Sequence, residues 1–195
     1  KEYGITPGLA VVLVGDDPAS QVYVRNKKRA CEELGFSSFE YTLPASTTEE
    51  ELIRLIEKLN RDDAVHGILV QSPVPKQIDE KKIQRLILPE KDVDAFHPVN
   101  VGKIMIGDYD FVPCTPAGIT VLLDAYGIET AGKKCVVIGR SDIVGKPMAM
   151  LMLHRNATVT ICHSKTPDVR AETKDADIVI GAVGKAGFLT GDMIR

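Results

Sequence analysis

Gly139 and Gly145 stand six residues apart between two apolar stretches, and their setting suits the binding of an anion. Cys135, Val136, Val137 and Ile138 precede them as a strand-like run, and Pro147 opens a helical run with Met148, Leu151, Met152 and Leu153. A strand that turns into a helix in this way presents bare N–H groups and the positive end of the helix dipole, which together attract a pyrophosphate. Gly139 permits the tight turn, and Gly145 lets helix and strand pack closely. Ser141 occupies the place of the middle glycine in G-x-G-x-x-G, so the stretch also suits a plain strand–turn–helix with no nucleotide. The next apolar run, residues 157–162, leads into His163, Ser164 and Lys165, where an NAD site usually carries an acid for the ribose hydroxyl. With Arg140, these residues offer donors and positive charge to a 2′-phosphate, which favours NADP as the cofactor.

A second group of residues could act on a substrate. Residues 20–34 read as a helix ended by Gly35, with Tyr23, Val24, Ala30, Cys31 and Leu34 as its apolar stripe. Lys27 falls inside that stripe, four residues after Tyr23 and four before Cys31, whereas Lys28 and Arg29 turn to other faces. Two readings are open. The lysine lays its stem on the core and snorkels to water, or it faces a cleft beside Tyr23. In the second case burial, with Arg25 and Lys28 nearby, would lower its pKa from about 10.4 and suit it to general-base work. Gln71 directly follows the apolar run 65–70, and open α/β sheets bind ligands beyond the carboxyl ends of their strands. Pro73 and Pro75 stiffen the loop it stands on, where it serves either a ligand or the loop's own backbone. Asp92 and Asp94, in the turn formed by residues 89–97, are likewise ligands or turn-formers.

The elements needed to hold these groups alternate between strand and helix. Apolar runs at residues 9–14, 65–70, 135–138, 157–162 and 176–181 read as parallel strands, the first of them buried on both faces, and residues 39–43 as a further strand. Ser46-Thr-Thr-Glu49 forms a capping-box pattern ahead of Leu52, Leu55, Ile56 and Leu59, and residues 79–88 read as a short helix. Thr115 as N-cap and Pro116 as first helical residue open a helix through Ile119, Val121, Leu122 and Leu123. The stiff connector before it divides an N-terminal α/β domain, residues 1–116, from a Rossmann-type domain, residues 117–195. One βαβαβ half ends at Gly181; the chain opens at Lys1 without a methionine, so both ends read as cut and a second half is expected to follow Arg195.

A 195-residue chain with 44% hydrophobic content can bury cores for two small domains. Its 24 basic and 27 acidic residues, net −3 without a long run of one sign, speak against a nucleic-acid or membrane partner and for a small molecule. No apolar run approaches the roughly 18 residues of a membrane span. Cys31, Cys114, Cys135 and Cys162 are widely spaced and lie in or beside apolar segments, as reduced core thiols of a cytoplasmic protein would, and they suggest no zinc or other metal site.

Six motifs in order, Tyr23-Val-Arg-Asn-Lys27, Val70-Gln-Ser-Pro-Val-Pro75, Lys91-Asp-Val-Asp-Ala-Phe-His97, Pro113-Cys-Thr-Pro-Ala-Gly118, Gly139-Arg-Ser-Asp-Ile-Val-Gly-Lys-Pro147 and Cys162-His-Ser-Lys-Thr166, resemble the bifunctional methylenetetrahydrofolate dehydrogenase/methenyltetrahydrofolate cyclohydrolase family. The resemblance covers nearly the whole chain. It implies a three-layer α/β folate-binding domain followed by a Rossmann NADP-binding domain, a homodimer, and tetrahydrofolate derivatives as substrates. It also implies oxidation of 5,10-methylenetetrahydrofolate with NADP, then hydrolysis to 10-formyltetrahydrofolate. Carried over, Lys27, Gln71 and Tyr23 form the catalytic group, with Tyr23 packed on the pterin and p-aminobenzoyl rings and Asp94 on the pterin's polar edge. Gly139, Arg140, Ser141, Gly145 and Ser164 become the cofactor-binding residues, with Arg140, Ser141 and Ser164 taking the 2′-phosphate. The alternative is a monofunctional NADP-dependent oxidoreductase of the same two-domain plan, which leaves a lysine paired with Gln71 unexplained. The family usually reads Gln-Leu-Pro-Leu-Pro and Asp-Val-Asp-Gly where this chain has Ser72, Val74 and Ala95, and its Pro-Gly-Gly-Val-Gly-Pro loop is absent from the chain. If that glycine sits at positive φ, Ala95 is strained and Asp94 shifts with it.

Overall fold

A computed structural model describes residues 4–194 as two compact units that divide between Asn100 and Val101. The connector at residues 111–118 lies within the second unit. In the first unit, strand β1 (Gly8–Val14) leads to helix α1 (Pro18–Leu34), β2 (Ser37–Leu43), α2 (Glu49–Arg61), β3 (Gly67–Val70) and α3 (Glu80–Leu86). The strands form a parallel sheet in the order β2-β1-β3. Because side chains alternate across a strand, β1 feeds two cores. Ala10, Val12 and Val14 pack with Leu52, Ile56, Leu59 and Ile83 of α2 and α3. Val11 and Leu13 pack on the other face with Val24 of α1 and Leu69. Helix, sheet and helix thus make three layers.

Helix α4 (Pro98–Ile106) carries the chain from one unit into the next, where α5 (Cys114–Ala125), β4 (Lys134–Ile138), α6 (Gly145–His154), β5 (Thr158–Cys162), α7 (Val169–Lys174) and β6 (Ile178–Gly181) follow. The sheet is again parallel, in the order β5-β4-β6, with its first strand central. Cys135 and Val137 face Leu123, Met148 and Met152, while Val136 and Ile138 face Cys162 and Ala176. Both units therefore repeat one plan: a central strand buried on both faces, flanked by crossovers that carry helices.

Several local expectations are corrected. Helix α1 starts at Pro18, because the Asp17 carboxylate accepts from the Ser20 N–H at 2.7 Å and Pro18 needs no N–H partner there. The capping box of α2 is Thr48 with Glu51, two residues later than its sequence pattern suggested. Thr115 does not cap α5. Pro113 holds the N-cap position and Cys114 is the first helical residue, which leaves Pro116 inside the first turn, where its missing N–H costs nothing. Val121 and Leu122 of that helix are exposed. Cys31, Cys135 and Cys162 are buried free thiols, but Cys114 is exposed. Burial pushes the Cys135 thiol up to about 11, so it stays neutral at ordinary pH.

Candidate active site

Helix α1 buries one stripe against the sheet, and Ser20, Val24 and Cys31 are its buried members. Lys27 lies on the same stripe, half-buried, one turn after Val24 and one before Cys31. Ala30, Leu34 and Tyr23, expected in the stripe, are exposed. Tyr23 is 60% exposed, one turn before Lys27, and presents its ring to solvent rather than to the core. The Lys27 side chain is half-buried, and its amine ends on a specific partner. Lys27 Nζ donates to Gln71 Oε1 at 2.9 Å.

Gln71 comes to this position from the end of β3. Its backbone N–H donates to the Val12 carbonyl at 2.8 Å, extending the ladder to β1 by one bond. Its side-chain Nε2 donates to the Ser72 carbonyl at 3.0 Å, which leaves Oε1 facing the lysine. The carboxamide is therefore engaged at both ends.

The two candidate aspartates separate by environment. Asp92 is buried and accepts from the His97 N–H at 2.8 Å and from Asn100 Nδ2 at 2.9 Å, so it holds the turn. Asp94 is half-buried and close enough to Lys27 to feel its charge. Burial pushes the Asp94 carboxyl above its ordinary range; the Lys27 charge pulls it part of the way back, and the Asp92 carboxylate adds to the rise. Lys28, expected to crowd Lys27 with positive charge, instead pairs with Glu40 at 2.9 Å. Ala95, next to Asp94, is buried and adopts φ +56°, the left-handed region that glycine enters most easily.

In the second unit the glycine-bounded turn closes tightly. Gly139 has φ +126°, and a β-carbon there would stand 2.3 Å from the Ala182 carbonyl oxygen. Ser141 reaches under the start of α6: its Oγ accepts from the N–H groups of Val144 and Gly145, each at 3.2 Å, and its carbonyl accepts from the Lys146 N–H at 3.0 Å. The expectation of bare first-turn N–H groups is thereby corrected, since Ser141 engages them and Pro147 has none. The Ser141 hydroxyl keeps its own proton to donate. Arg140 and Ser164 are exposed. His163 Nδ1 accepts from the Lys165 N–H at 3.1 Å, which shapes the loop after β5. The tight turn, the exposed guanidinium and a strand end without a carboxylate suit a dinucleotide carrying a 2′-phosphate.

One pair was missed from the sequence. Ser72 Oγ donates to the Glu80 carboxylate at the first residue of α3, and the only sequence signal was that Ser72 departs from an apolar position of the pattern. Among the described residues, no three His, Cys, Asp or Glu side chains gather as metal ligands.

Residues 1–94 match the family model described as "Tetrahydrofolate dehydrogenase/cyclohydrolase, catalytic domain", and residues 113–195 match the NAD(P)-binding domain of the same family. The chain is 61% identical over 195 residues to the "Bifunctional protein FolD" of Acetivibrio thermocellus, covering all of this chain and 68% of that protein. Among solved structures, the bifunctional dehydrogenase/cyclohydrolase of Campylobacter jejuni superposes with a TM-score of 0.94 at 49% identity, over 100% of this chain and 69% of that one. The Trypanosoma brucei enzyme, solved with NADP and an inhibitor, gives 0.93 at 42% identity, over 99% of this chain and 66% of that one.

Proposed function

This chain belongs to the tetrahydrofolate dehydrogenase/cyclohydrolase family, and on that premise we propose that Lys27, Gln71, Tyr23 and Asp94 handle the folate while Gly139, Arg140, Ser141, Gly145 and Ser164 hold NADP. The activity is the bifunctional one of the family: oxidation of 5,10-methylenetetrahydrofolate to the methenyl cation, then hydrolysis to 10-formyltetrahydrofolate. The observation that carries the site assignment is the 2.9 Å hydrogen bond from Lys27 to Gln71, made by a lysine on the stripe that buries Val24 and Cys31.

Held by Gly139, Arg140, Ser141, Gly145 and Ser164, NADP would supply the acceptor for the hydride of the methylene carbon. For that step the chain's own task is placement, because a methylene carbon held at near-attack distance needs no proton transfer. The exposed ring of Tyr23 offers a flat face to the pterin and p-aminobenzoyl rings. Asp94 accepts hydrogen bonds from the pterin's polar edge. Hydrolysis asks for more. Water attacks the methenyl carbon and gives up a proton; the ring carbon–nitrogen bond then breaks as the new hydroxyl becomes the formyl carbonyl, and the hydroxyl proton passes to the released nitrogen. Lys27 acts on that water, taking its proton when the amine is neutral or stabilising the developing oxyanion when it is charged. Gln71 holds the amine in place in either case.

The reading extends to a homodimer in the cytoplasm with no nucleic-acid or membrane partner. The homodimer follows from the family resemblance alone; three buried free thiols support the compartment, and the net charge of −3 speaks against a nucleic-acid partner. No described helix is long and apolar enough to cross a membrane. Mixing the intact enzyme with methylenetetrahydrofolate and either NADP or NAD, while following NAD(P)H and methenyl absorbance, tests the two reactions together. Lys27→Met keeps the stem and removes the amine. It should cut hydrolysis by about 10²-fold or more, retain measurable dehydrogenase activity and let methenyltetrahydrofolate accumulate. Unimpaired hydrolysis by Lys27→Met would reduce the lysine to a packing residue.

A further inference from the structure

The Gln71 carboxamide is aimed at Lys27 because its Nε2 has the Ser72 carbonyl to donate to, so its orientation depends on where Ser72 is held. Ser72 is held in turn by its own side chain, which donates to Glu80. Glu80 is fixed because it opens α3, whose N-cap Asp79 accepts from the Lys81 and Lys82 N–H groups at 3.0 and 3.2 Å. That helix is pinned further. Ile83 is fully buried in the core, and the Asp79 N–H donates to Glu49 of α2 at 2.8 Å. An unbroken series of hydrogen bonds therefore runs from a core-anchored helix through Glu80, Ser72 and Gln71 to the Lys27 amine.

We propose that Ser72 and Glu80 are positioning residues for the hydrolytic step, setting the angle at which Gln71 holds Lys27. The inference rests on the roles given to Lys27 and Gln71 above. A side chain without a hydroxyl at position 72 could not make this bond. Without the anchor, the Ser72 carbonyl is held only by the backbone of its proline-flanked loop, so it can shift by a fraction of an ångström and the carboxamide that donates to it shifts with it. Displacements well under an ångström matter for a group that must meet a water at attack distance. Hydride transfer depends on the placement of rings and does not use this series.

Both activities should be measured in the intact enzyme for Ser72→Ala, Ser72→Thr, Glu80→Ala and Glu80→Gln, alongside Lys27→Met and thermal melts of each variant. Ser72→Ala and Glu80→Ala should lower the hydrolytic kcat about five- to twentyfold, with KM and dehydrogenase activity within about twofold. Ser72→Thr keeps the hydroxyl and Glu80→Gln keeps an acceptor, so both should stay within about twofold of the unmutated enzyme. In a Lys27→Met background, Ser72→Ala should cost less than about twofold more, because it acts only through the lysine. If one alanine variant fails to fold, the other breaks the same bond from its opposite side. Equal losses of both activities that follow a lowered melting temperature, or full hydrolysis by both alanine variants while Lys27→Met is impaired, would overturn the inference and leave the role of Lys27 standing. Full hydrolysis by Lys27→Met would remove the role of Lys27 and this inference with it.

Discussion

Gly145 lies so close to Gly139 that a β-carbon added to it would stand 2.2 Å from the Gly139 carbonyl oxygen and 2.8 Å from the Arg140 nitrogen. Both obstacles are backbone atoms, so no side-chain rotation can relieve the clash. The start of α6 would have to move away from the end of β4, and the Ser141 cap with it. Gly145→Ala should therefore destabilise the protein by about 1–3 kcal/mol and weaken NADP binding. Thermal unfolding with and without NADP measures both effects, and an unchanged melting temperature would contradict the close packing.

Arg140 stands on the same turn, exposed, and the loop after β5 carries His163, Ser164 and Lys165 without a carboxylate. A charge-assisted hydrogen bond to the 2′-phosphate contributes about 1.5–3 kcal/mol, so Arg140→Ala should raise the NADP KM by about one to two orders of magnitude. NAD offers no such phosphate and should be used nearly as before. Steady-state kinetics with both cofactors decides the matter, and equal use of the two by the unmutated enzyme would exclude the assigned role.

The parts legible in the sequence were those set by periodicity and by backbone freedom. The run at residues 9–14 reads as a strand buried on both faces, and β1 does split Val11 and Leu13 from Ala10, Val12 and Val14 into two cores. Lys27 could be assigned to the buried stripe because a helix repeats its faces every three to four residues. What periodicity cannot state is whether a neighbouring element covers the stripe at each point. Leu34 and Tyr23 obey the spacing and remain exposed, because nothing in the described structure packs over them to bury them. Caps were missed for a different reason. Whether Thr115 or Ser141 reaches a given N–H depends on distances of a few ångströms along a turn, and residue type does not fix these. The Ser72–Glu80 bond is of the same kind, joining residues eight positions apart through a loop.

Ala95 is an alanine in a conformation that glycine adopts more readily, with φ +56°. Left-handed backbone costs a residue with a β-carbon about 1–2 kcal/mol. Removing its buried methyl costs about 0.8 kcal/mol, so Ala95→Gly should stabilise the protein by a few tenths to about 1 kcal/mol. The melting temperature should rise by up to about 4 °C. If strain at Ala95 also displaces Asp94, the KM for methylenetetrahydrofolate should fall in the same variant. A lower melting temperature would show that the methyl matters more than the strain.

Asp94 gives a pH dependence whose sign follows from its surroundings. Burial and Asp92 raise its pKa above the ordinary 3.8, and the opposing charge of Lys27 does not cancel the rise. The folded protein therefore holds the Asp94 proton more tightly than the unfolded chain does. Its contribution to stability is fully present below the unfolded pKa and is lost as pH rises through the folded one. Once ionised, Asp94 is a half-buried carboxylate that folding alone would not favour, beside an amine that partly compensates it. Asp94→Asn removes the titration and keeps the shape. The variant should gain stability relative to the unmutated protein as pH rises from about 4 toward neutrality, whereas the two should converge in acid. The same change should weaken folate binding, since a carboxylate accepts charge-assisted hydrogen bonds from the pterin's edge that an amide accepts less strongly; a KM about ten- to a hundredfold higher is expected. Denaturant unfolding across that pH range, paired with substrate kinetics, reads both. A stability difference that shrinks toward neutral pH would mean that the Lys27 charge outweighs burial, and that Asp94 is held there as a structural ion pair.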